Sequence, residues 1–270
     1  MQPISFLTDY GHGDEFVGVC HGVMQRIAPG VVVIDVTHEV PRHDVRIGAL
    51  ALRNAIRFMP HGIHLAVVDP GVGGDRRAVA MRCADGNVLV GPDNGLLWPA
   101  GEACGGVTAA FDIGESRYRL DPVSATFHGR DLFAPVAANL ALGAPLEDAG
   151  TAVDADSLRV LELPAPAISE GRAQARVVAV DRFGNLQLNL TADDMRAAGF
   201  EQGECIEVLS PRRTGEATYA RTFGEVGAGR AVIIENSSGR TAVAVNQGRA
   251  AGALGVGVDA ELLLQPCDDH

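Results

Sequence analysis

Short apolar runs alternate with longer amphipathic segments through the first 163 residues of the chain. The apolar runs are rich in β-branched residues and are bounded by turn residues, so we predict buried strands at 4–7, 31–36, 63–68, 79–81 and 88–90. Helical spacing predicts helices at 15–27, 45–59 and 132–142. Asp14 and Asp44 are the predicted N-caps of the first two helices, and Pro135 falls in the first turn of the third. Alternation of this kind predicts an α/β domain with a mainly parallel sheet.

The pattern changes near residue 163, where the Pro-rich polar stretch 164–172 is typical of a linker. Beyond it, short strands separated by Gly and Asn turns are predicted at 175–180, 205–209, 217–223, 231–234, 241–245 and 261–264. Short helices fit only at 193–198 and 248–253. The sequence therefore predicts an α/β domain at 1–163, a linker at 164–172 and a second domain at 173–270 that is a small β-barrel or a sandwich.

Acidic residues stand at or just after the carboxyl ends of the predicted N-terminal strands: Asp9, Asp35, Asp69 and Asp93. In open α/β sheets the ligand crevice lies outside those strand ends. A single aspartate there is more often a loop or capping residue, but several together favour a binding site.

Composition and charge exclude some classes of function. The formal charge of −12 argues against a nucleic-acid partner, because phosphate binding needs a basic face. The longest uncharged apolar run, 132–146, is too short to cross a bilayer and contains two prolines. The N-terminus lacks the pattern of a signal peptide. Scattered cysteines without a CxxC pair are interpreted as reduced thiols of a cytoplasmic protein: Cys20, Cys83, Cys104, Cys205 and Cys267.

Two loops carry the strongest candidate chemistry. Loop 68–77 contains Asp69, Arg76 and three glycines, which let backbone approach a ligand closely. Loop 126–131 contains His128. A carboxylate, a guanidinium and an imidazole in one cleft, with no GxSxG elbow or activated cysteine beside them, point to activation of a small nucleophile such as water.

Metal-dependent hydrolysis is a second interpretation of the same half. His38 and His43 have the wrong spacing for an HExxH zinc helix, and Pro41 would break that helix. His61 and His64 flank a predicted turn and are expected at the surface. A metal site built from the N-terminal acids and one histidine stays open: Asp9, Asp14, Asp69 and His128.

Segment 181–185 of the second half allows two interpretations. Its Gly184-Asn185 pair is hairpin-turn chemistry, which the residues alone favour. Its acid, aromatic ring and amide would also bind an amine, stack on a base and hydrogen-bond to the base edge. Segment 236–239, Asn-Ser-Ser-Gly, is likewise a turn first and a cluster of donors second.

Taken together, these motifs resemble those of one family, the adenosine-forming S-adenosylmethionine hydrolases, also called SAM hydroxide adenosyltransferases, whose relatives include the bacterial fluorinase and chlorinase. The motifs run in the family's order over nearly the whole chain: FLTDYG at 6–11, DVTH at 35–38, VDPGVGGDRR at 68–77, PDNGLL at 92–97, TFHGRD at 126–131, DRFGN at 181–185, NSSG at 236–239 and NQG at 246–248.

The resemblance implies a homotrimer of subunits with an N-terminal α/β domain and a C-terminal β-barrel, with the substrate held between one subunit's first domain and its neighbour's second. It implies hydrolysis of S-adenosyl-L-methionine to adenosine and L-methionine, without metal or cofactor. The family's catalytic trio falls on Asp69, Arg76 and His128. The halogenating relatives carry Tyr in place of Asp69 and Tyr-Ser in place of His128-Gly129, so this chain sorts with the hydrolases.

In the expected mechanism, Arg76, held by Asp69, stabilises a developing hydroxide, and His128 orients the water or takes its proton. The resemblance also implies these substrate contacts: Asp9 at the ribose hydroxyls, Phe183 and Asn185 at the adenine, backbone near Gln247 at the base edge, and Asp14, Asp181 and Ser237 at the methionine end. The chain departs from the halogenases at Ser238, where they have Arg, and at His43, where they have Trp.

Two alternatives from other classes stay open. One is a non-catalytic sensor of an adenosyl ligand, and the other is a metal-dependent hydrolase. The catalytic trio argues against the sensor, because recognition of ribose and adenine needs none of its three side chains.

Overall fold

The computed structural model describes residues 1–267, and the chain divides into two compact units, Met1–Leu161 and a second that begins at Glu162. The predicted second domain, 173–270, extends over 268–270, which lie outside the described residues. The predicted linker, 164–172, contains a short strand, Ala167–Ser169, that pairs with the strand after it.

The first unit is a sheet flanked by helices. Its strands are β1 (Ile4–Thr8), β2 (Val33–Thr37), β3 (Ile63–Val67), β4 (Ala78–Cys83), β5 (Val88–Pro92), β6 (Val107–Asp112) and β7 (Thr151–Val153). Its α-helices are α1 (Phe16–Ile27), α2 (Val45–Ile56), α3 (Trp98–Ala103) and α4 (Ala134–Ala141). The strand order is β2-β1-β3-β5-β4-β6-β7.

The neighbours β2, β1, β3 and β5 are parallel, while β4, β6 and β7 add to the sheet in antiparallel pairs. Only β4 and β7 therefore run against the direction of the other strands in this sheet of the described chain. The predicted α/β domain with a mainly parallel sheet is confirmed. Thr8 is in register with Val67, so the loops that follow β1 and β3 leave the same edge of the sheet side by side.

Both faces of the sheet are covered, which explains why every residue of β1 and β3 is buried. Successive side chains of a strand point to opposite faces. Phe6 accordingly packs in the cluster that contains α1 and α4, and Leu7 packs in the cluster that contains α2 and α3.

The helix ends follow the predicted capping at one site and not at another. Asp44 caps α2, since its carboxylate accepts a hydrogen bond from Ile47 N at 2.9 Å. The predicted cap Asp14 is wrong, because α1 begins after Glu15 without a side-chain cap. Pro135 lies in the first turn of α4, as expected, but the helix is preceded by a π-helical turn, Gly129–Phe133.

The second unit is a closed barrel, and the barrel prediction is confirmed. Its strands are β8 (Ala167–Ser169), β9 (Arg172–Val180), β10 (Leu186–Leu188), β11 (Cys205–Leu209), β12 (Thr214–Tyr219), β13 (Ala231–Glu235), β14 (Thr241–Val245) and β15 (Glu261–Pro266). Strands β10-β14-β13-β12-β11-β15-β9 follow one another, and the β9–β10 pair closes the ring. The helices are α5 (Ala192–Ala197) and α6 (Ala250–Leu254).

The prediction of five reduced cysteines is wrong for one pair. Cys205 and Cys267 form a disulfide across the antiparallel strands β11 and β15, with their Cα atoms 5.5 Å apart. Cys267 N also donates a hydrogen bond to Cys205 O at 3.1 Å. The two cysteines are 62 positions apart in sequence, and only the strand pairing brings them together. Cys20, Cys83 and Cys104 are free and buried.

The expected surface position of His64 is also wrong. His64 lies on β3 with 1 % exposure, and its ring nitrogens hydrogen-bond with Ser5 Oγ at 2.7 Å and Asn87 Oδ1 at 3.1 Å. These two partners satisfy the buried ring, and burial lowers the pKa of His64.

None of the helices within residues 1–267 has both the length and the apolar character that crossing a bilayer requires.

Candidate active site

A cavity of about 580 Å³ opens at the edge of the first sheet where β1 and β3 end. Its walls come from the loop after β1, the loop after β2, the residues after β3 and segment 126–129. Of the residues predicted for the site, it is lined by Asp9, Asp14, Asp69 and His128. The volume is within the range of small-molecule pockets, about 300–1,000 Å³.

Asp69, Arg76 and His128 form one hydrogen-bonded chain beside this cavity. Arg76 Nε donates to both carboxylate oxygens of Asp69 at 3.0 Å, and Arg76 Nη2 donates to Asp69 Oδ2 at 2.5 Å. The same Nη2 donates to His128 Nδ1 at 2.8 Å. The Asp69 side chain is 5 % exposed and that of Arg76 is 12 % exposed, so the ion pair is shielded from water. Sequence reasoning placed these three in one cleft, and the structure brings them into contact.

The contact with Arg76 defines the protonation state of His128. A guanidinium only donates hydrogen bonds, so Nδ1 must accept with its lone pair. The neutral ring then carries its proton on Nε2. Burial, and next the charge of Arg76, lower the pKa of His128, which favours this neutral form. His128 therefore has a hydrogen-bond donor at Nε2 while Arg76 occupies Nδ1.

Backbone of loop 68–77 packs tightly against Ala125, the residue just before loop 126–131. Gly73 has φ +74°, and a Cβ at this position would lie 2.3 Å from Ala125 O. A Cβ at Gly129 would lie 2.1 Å from the hydroxyl oxygen of Tyr10. The Arg76 guanidinium also lies 5.3 Å from the centre of the Phe133 ring, at the end of the π-helical turn. These approaches fix Arg76 relative to His128.

Asp9 directly follows β1 and lines the same cavity. Asp9 Oδ2 accepts a hydrogen bond from His43 N at 2.8 Å, and His43 adopts a left-handed backbone with φ 65°. This contact joins the loop after β1 to the loop after β2 and orients the carboxylate. Asp14 lines the same cavity at an exposed position just before α1.

The four strand-end acids predicted as a group are not together. Asp9 and Asp69 line the cavity, but Asp93 pairs with Arg77 at 2.6 Å and accepts a hydrogen bond from Arg159 N at 2.8 Å. Asp93 therefore holds loops of the first unit together. Asp35 lies within β2, where it contacts two histidines.

In the second unit, segment 181–185 is a hairpin turn between β9 and β10. Asp181 Oδ1 accepts from Phe183 N at 2.9 Å and from Asn185 N at 3.0 Å, and Asp181 Oδ2 accepts from Asn185 Nδ2 at 2.8 Å. The turn interpretation accounts for these bonds. The same turn leaves Phe183 65 % exposed, an unusual position for a phenylalanine and one that suits stacking on a planar ligand.

Gln247 and Ser237 lie at opposite ends of β14. Gln247 follows the strand with φ 55°, and the segment after it contacts the 181–185 turn through Ala251 N, which donates to Gly184 O at 3.0 Å. Ser237 precedes the strand, in the turn between β13 and β14. The structure thus groups Gln247 with the turn and separates Ser237 from it by the length of β14.

Sequence reasoning missed an aromatic wall of the cavity. The rings of Tyr10, Phe16 and Phe127 contact one another, with centres 5.1–6.0 Å apart. Burial raises the pKa of Tyr10 well above its ordinary value, so its hydroxyl stays protonated. Tyr10 and Phe127 stand within the motifs 6–11 and 126–131, but no spacing rule marked them as ligand contacts.

Comparison with known proteins gives concordant results over both units. Residues 4–150 match the model of the SAM hydroxide adenosyltransferase N-terminal domain, and residues 175–263 match that of its C-terminal domain. An (R)-S-adenosyl-L-methionine hydrolase from Salinispora tropica is 50% identical over 256 residues, which are 94% of each chain. A fluorinase from an Actinoplanes species is 30% identical over 270 residues, covering 90% of each chain. An uncharacterized conserved protein from Thermotoga maritima has a solved structure with a TM-score of 0.91 and 35% identity, covering 97% of this chain and 99% of that one.

Proposed function

The chain belongs to the SAM hydroxide adenosyltransferase family, and on that premise we propose that it hydrolyses S-adenosyl-L-methionine to adenosine and L-methionine by attack of water on C5′. The observation that carries the proposal is the hydrogen-bonded chain of Asp69, Arg76 and His128 at a cavity of nucleoside size. A sensor that only binds the same ligand would not need these three hydrogen-bonded side chains.

The reaction replaces a C–S bond with a C–O bond. The water oxygen attacks C5′ in line with the sulfonium, the C5′–S electron pair stays on sulfur, and methionine leaves as a neutral thioether. The leaving group therefore needs no acid. The barrier lies with the nucleophile, since water has a pKa of about 15.7. Holding that water in line with C5′–S contributes roughly 7–11 kcal/mol in well-oriented systems.

Asp69, Arg76 and His128 have different roles in the reaction, according to their positions. His128 Nε2–H donates a hydrogen bond to the water oxygen and so fixes its direction. Asp69 faces the cavity and accepts the proton that the water loses as the C–O bond forms; a carboxylate suffices, because the attacking water becomes strongly acidic at that stage. Arg76 is a positioning residue, since it lies outside the cavity lining and holds both neighbours through three directed N–H groups.

Substrate recognition divides between the two units. Asp9 accepts the ribose hydroxyls, and Asp14 lies near the methionine end. Phe183 stacks on the adenine, with Asn185 and backbone near Gln247 at the base edge, while Asp181 and Ser237 serve the methionine end. We propose that these second-unit residues come from a neighbouring chain in a homotrimer. The reaction uses no metal and no cofactor.

A cytoplasmic location stays a prediction. The Cys205–Cys267 bond speaks against it, because disulfides are rare in that compartment.

The test is incubation of the purified chain with S-adenosyl-L-methionine in water labelled with a heavy oxygen isotope, with and without EDTA. Chromatography and mass spectrometry should find adenosine that carries the label, together with unlabelled methionine, in both samples. Labelled homoserine together with methylthioadenosine would refute attack at C5′. Tight binding without products would favour the sensor, and loss of products with EDTA in a chain that still binds the substrate would favour the metal-dependent hydrolase.

A further inference from the structure

Three potential metal ligands converge beside the cavity, whose lining includes one of them, His38. His21 lies on α1, Asp35 lies on β2, and His38 follows the end of β2. Their ligand atoms all lie within 4.8 Å of one another. His21 Nε2 is 2.9 Å and His38 Nε2 is 3.0 Å from the same oxygen, Asp35 Oδ1. Two imidazole nitrogens thus lie beside one carboxylate oxygen.

His38 has an unusual environment for a structural histidine. Its side chain is 0 % exposed, and its Nδ1 hydrogen-bonds with Thr8 Oγ1 at 2.8 Å. Its Nε2 is buried and, within residues 1–267, forms no hydrogen bond of good geometry, although Asp35 Oδ1 is near. A buried polar atom without a partner destabilises the fold unless something else satisfies it.

A metal ion would satisfy that nitrogen. Nitrogen and carboxylate ligands in this number suit Zn²⁺, which takes three protein ligands and a water in open sites. In a tetrahedral site with bonds of about 2.0–2.1 Å, ligand atoms lie about 3.3 Å apart, so the two nitrogen–oxygen separations need to open by only a few tenths of an ångström, and the two nitrogens already lie within 4.8 Å of each other. Thr8 would serve as the outer hydrogen-bond partner that orients a ligating imidazole.

The surroundings give the ion a path. The side chains of His21 and Asp35 are 30 % and 42 % exposed, so solvent reaches the site from their side.

We propose that His21, Asp35 and His38 bind one divalent transition metal ion of the zinc type, which ties α1 to β2. The ion would also brace the substrate wall, because His38 O accepts a hydrogen bond from Gly11 N at 2.7 Å, two residues beyond Asp9. This site is separate from the Asp69, Arg76 and His128 chain, and the proposed hydrolysis does not use its metal.

The experiment uses the full chain after treatment with a chelator. Calorimetry with Zn²⁺ alone should give one ion per chain, and Zn²⁺ should raise the melting temperature. Co²⁺ should give visible d–d absorption. His21→Ala and the nearly isosteric Asp35→Asn should each weaken binding by more than about tenfold, and Thr8→Val by about 10–100-fold, as expected for loss of an outer-sphere partner. The matched control His61→Ala removes a histidine elsewhere on the first unit and should leave the affinity unchanged.

The competing location is a second cluster, Cys83, Asp85 and Cys104. Co²⁺ bound there would show intense thiolate-to-metal charge transfer, and Cys104→Ser would abolish it. Binding that follows Cys104, equal affinity in wild type and His21→Ala, or no uptake of Zn²⁺ would each overturn the proposal. None of these results depends on turnover, so failure here leaves the proposed hydrolysis standing.

Discussion

At the scale of single residues, Arg76 joins Asp69 and His128, the two groups proposed to act on the reacting water. We expect Arg76→Ala to lower kcat by more than about tenfold with little change in KM, because the side chain holds the groups that act on the water and does not contact bound substrate. Arg76→Lys should recover little, since an ammonium cannot reproduce the planar donors that hold Asp69 and His128 together. Steady-state kinetics checks this, with the exposed neighbour variant Asp75→Ala as control. A rise in KM alone would make Arg76 a binding residue.

Protonation of His128 determines how activity is expected to change at acid pH. Burial and Arg76 lower its pKa, so the ring protonates only at pH values below the ordinary histidine value of about 6.5. Protonation puts a hydrogen on Nδ1, ends its bond with Arg76 and misplaces Nε2. Activity should therefore fall as the pH falls, with a midpoint below that ordinary value, and His128→Gln should lack this limb. The same shift makes the unfolded chain take up the proton first, so stability also falls on the acid side. A midpoint above the ordinary value would contradict this assignment.

At the scale of elements, the site depends on how two loops pack, and Gly73 tests that packing. An alanine there would suffer both a left-handed backbone and a clash with Ala125 O. Gly30 has a similar φ of +82° with open space around it, so Gly30→Ala measures the backbone strain alone, about 1–2 kcal/mol. We expect Gly73→Ala to lose more stability than Gly30→Ala and to lose turnover as well, as measured by thermal unfolding and kinetics on folded protein. Equal turnover in the two variants would show that the contact with Ala125 does not position the trio.

The elements also show what local sequence can predict. Strands such as β11 and β14 were predicted to the residue, because apolar runs bounded by turn residues define them. Helix α3 was missed, since Pro99 and Gly101 interrupt its helical pattern. The sequence assigns Asp69, Arg76 and His128 to loops, but it does not reveal the hydrogen bonds among them. Those bonds depend on how two separate loops pack, since Arg76 and His128 are 52 residues apart. The His21, Asp35 and His38 cluster was missed because it depends on how α1 packs against β2, which the sequence pattern does not specify.

At the scale of the whole molecule, strand–helix alternation sufficed for the α/β unit, whereas the residues alone left barrel and sandwich open for the second unit. The difference is physical: closure of the ring rests on the β9–β10 pair and on pairings between strands distant in sequence, such as β9 with β15. The Cys205–Cys267 bond was missed because it crosses one of these distant pairs. Local patterns specify elements, and long-range pairing decides how they close.

The proposed homotrimer leads to the most demanding prediction, because it requires that Phe183 act on a substrate held by another chain's Asp69. Asp69→Ala and Phe183→Ala should each be inactive alone. After co-refolding, every mixed cyclic trimer contains one interface with an intact first unit and an intact second unit. Equal mixing should therefore restore roughly one quarter of wild-type activity.

The matched control is a mixture of Asp69→Ala with His128→Ala, which damages the same unit in both chains and should restore nothing. Light scattering verifies the trimer, and tagged subunits verify that the trimers are mixed. Absence of recovery in verified mixed trimers would mean that each chain completes its own site, and the proposed sharing between subunits would be wrong even if the chemistry at Asp69, Arg76 and His128 is right.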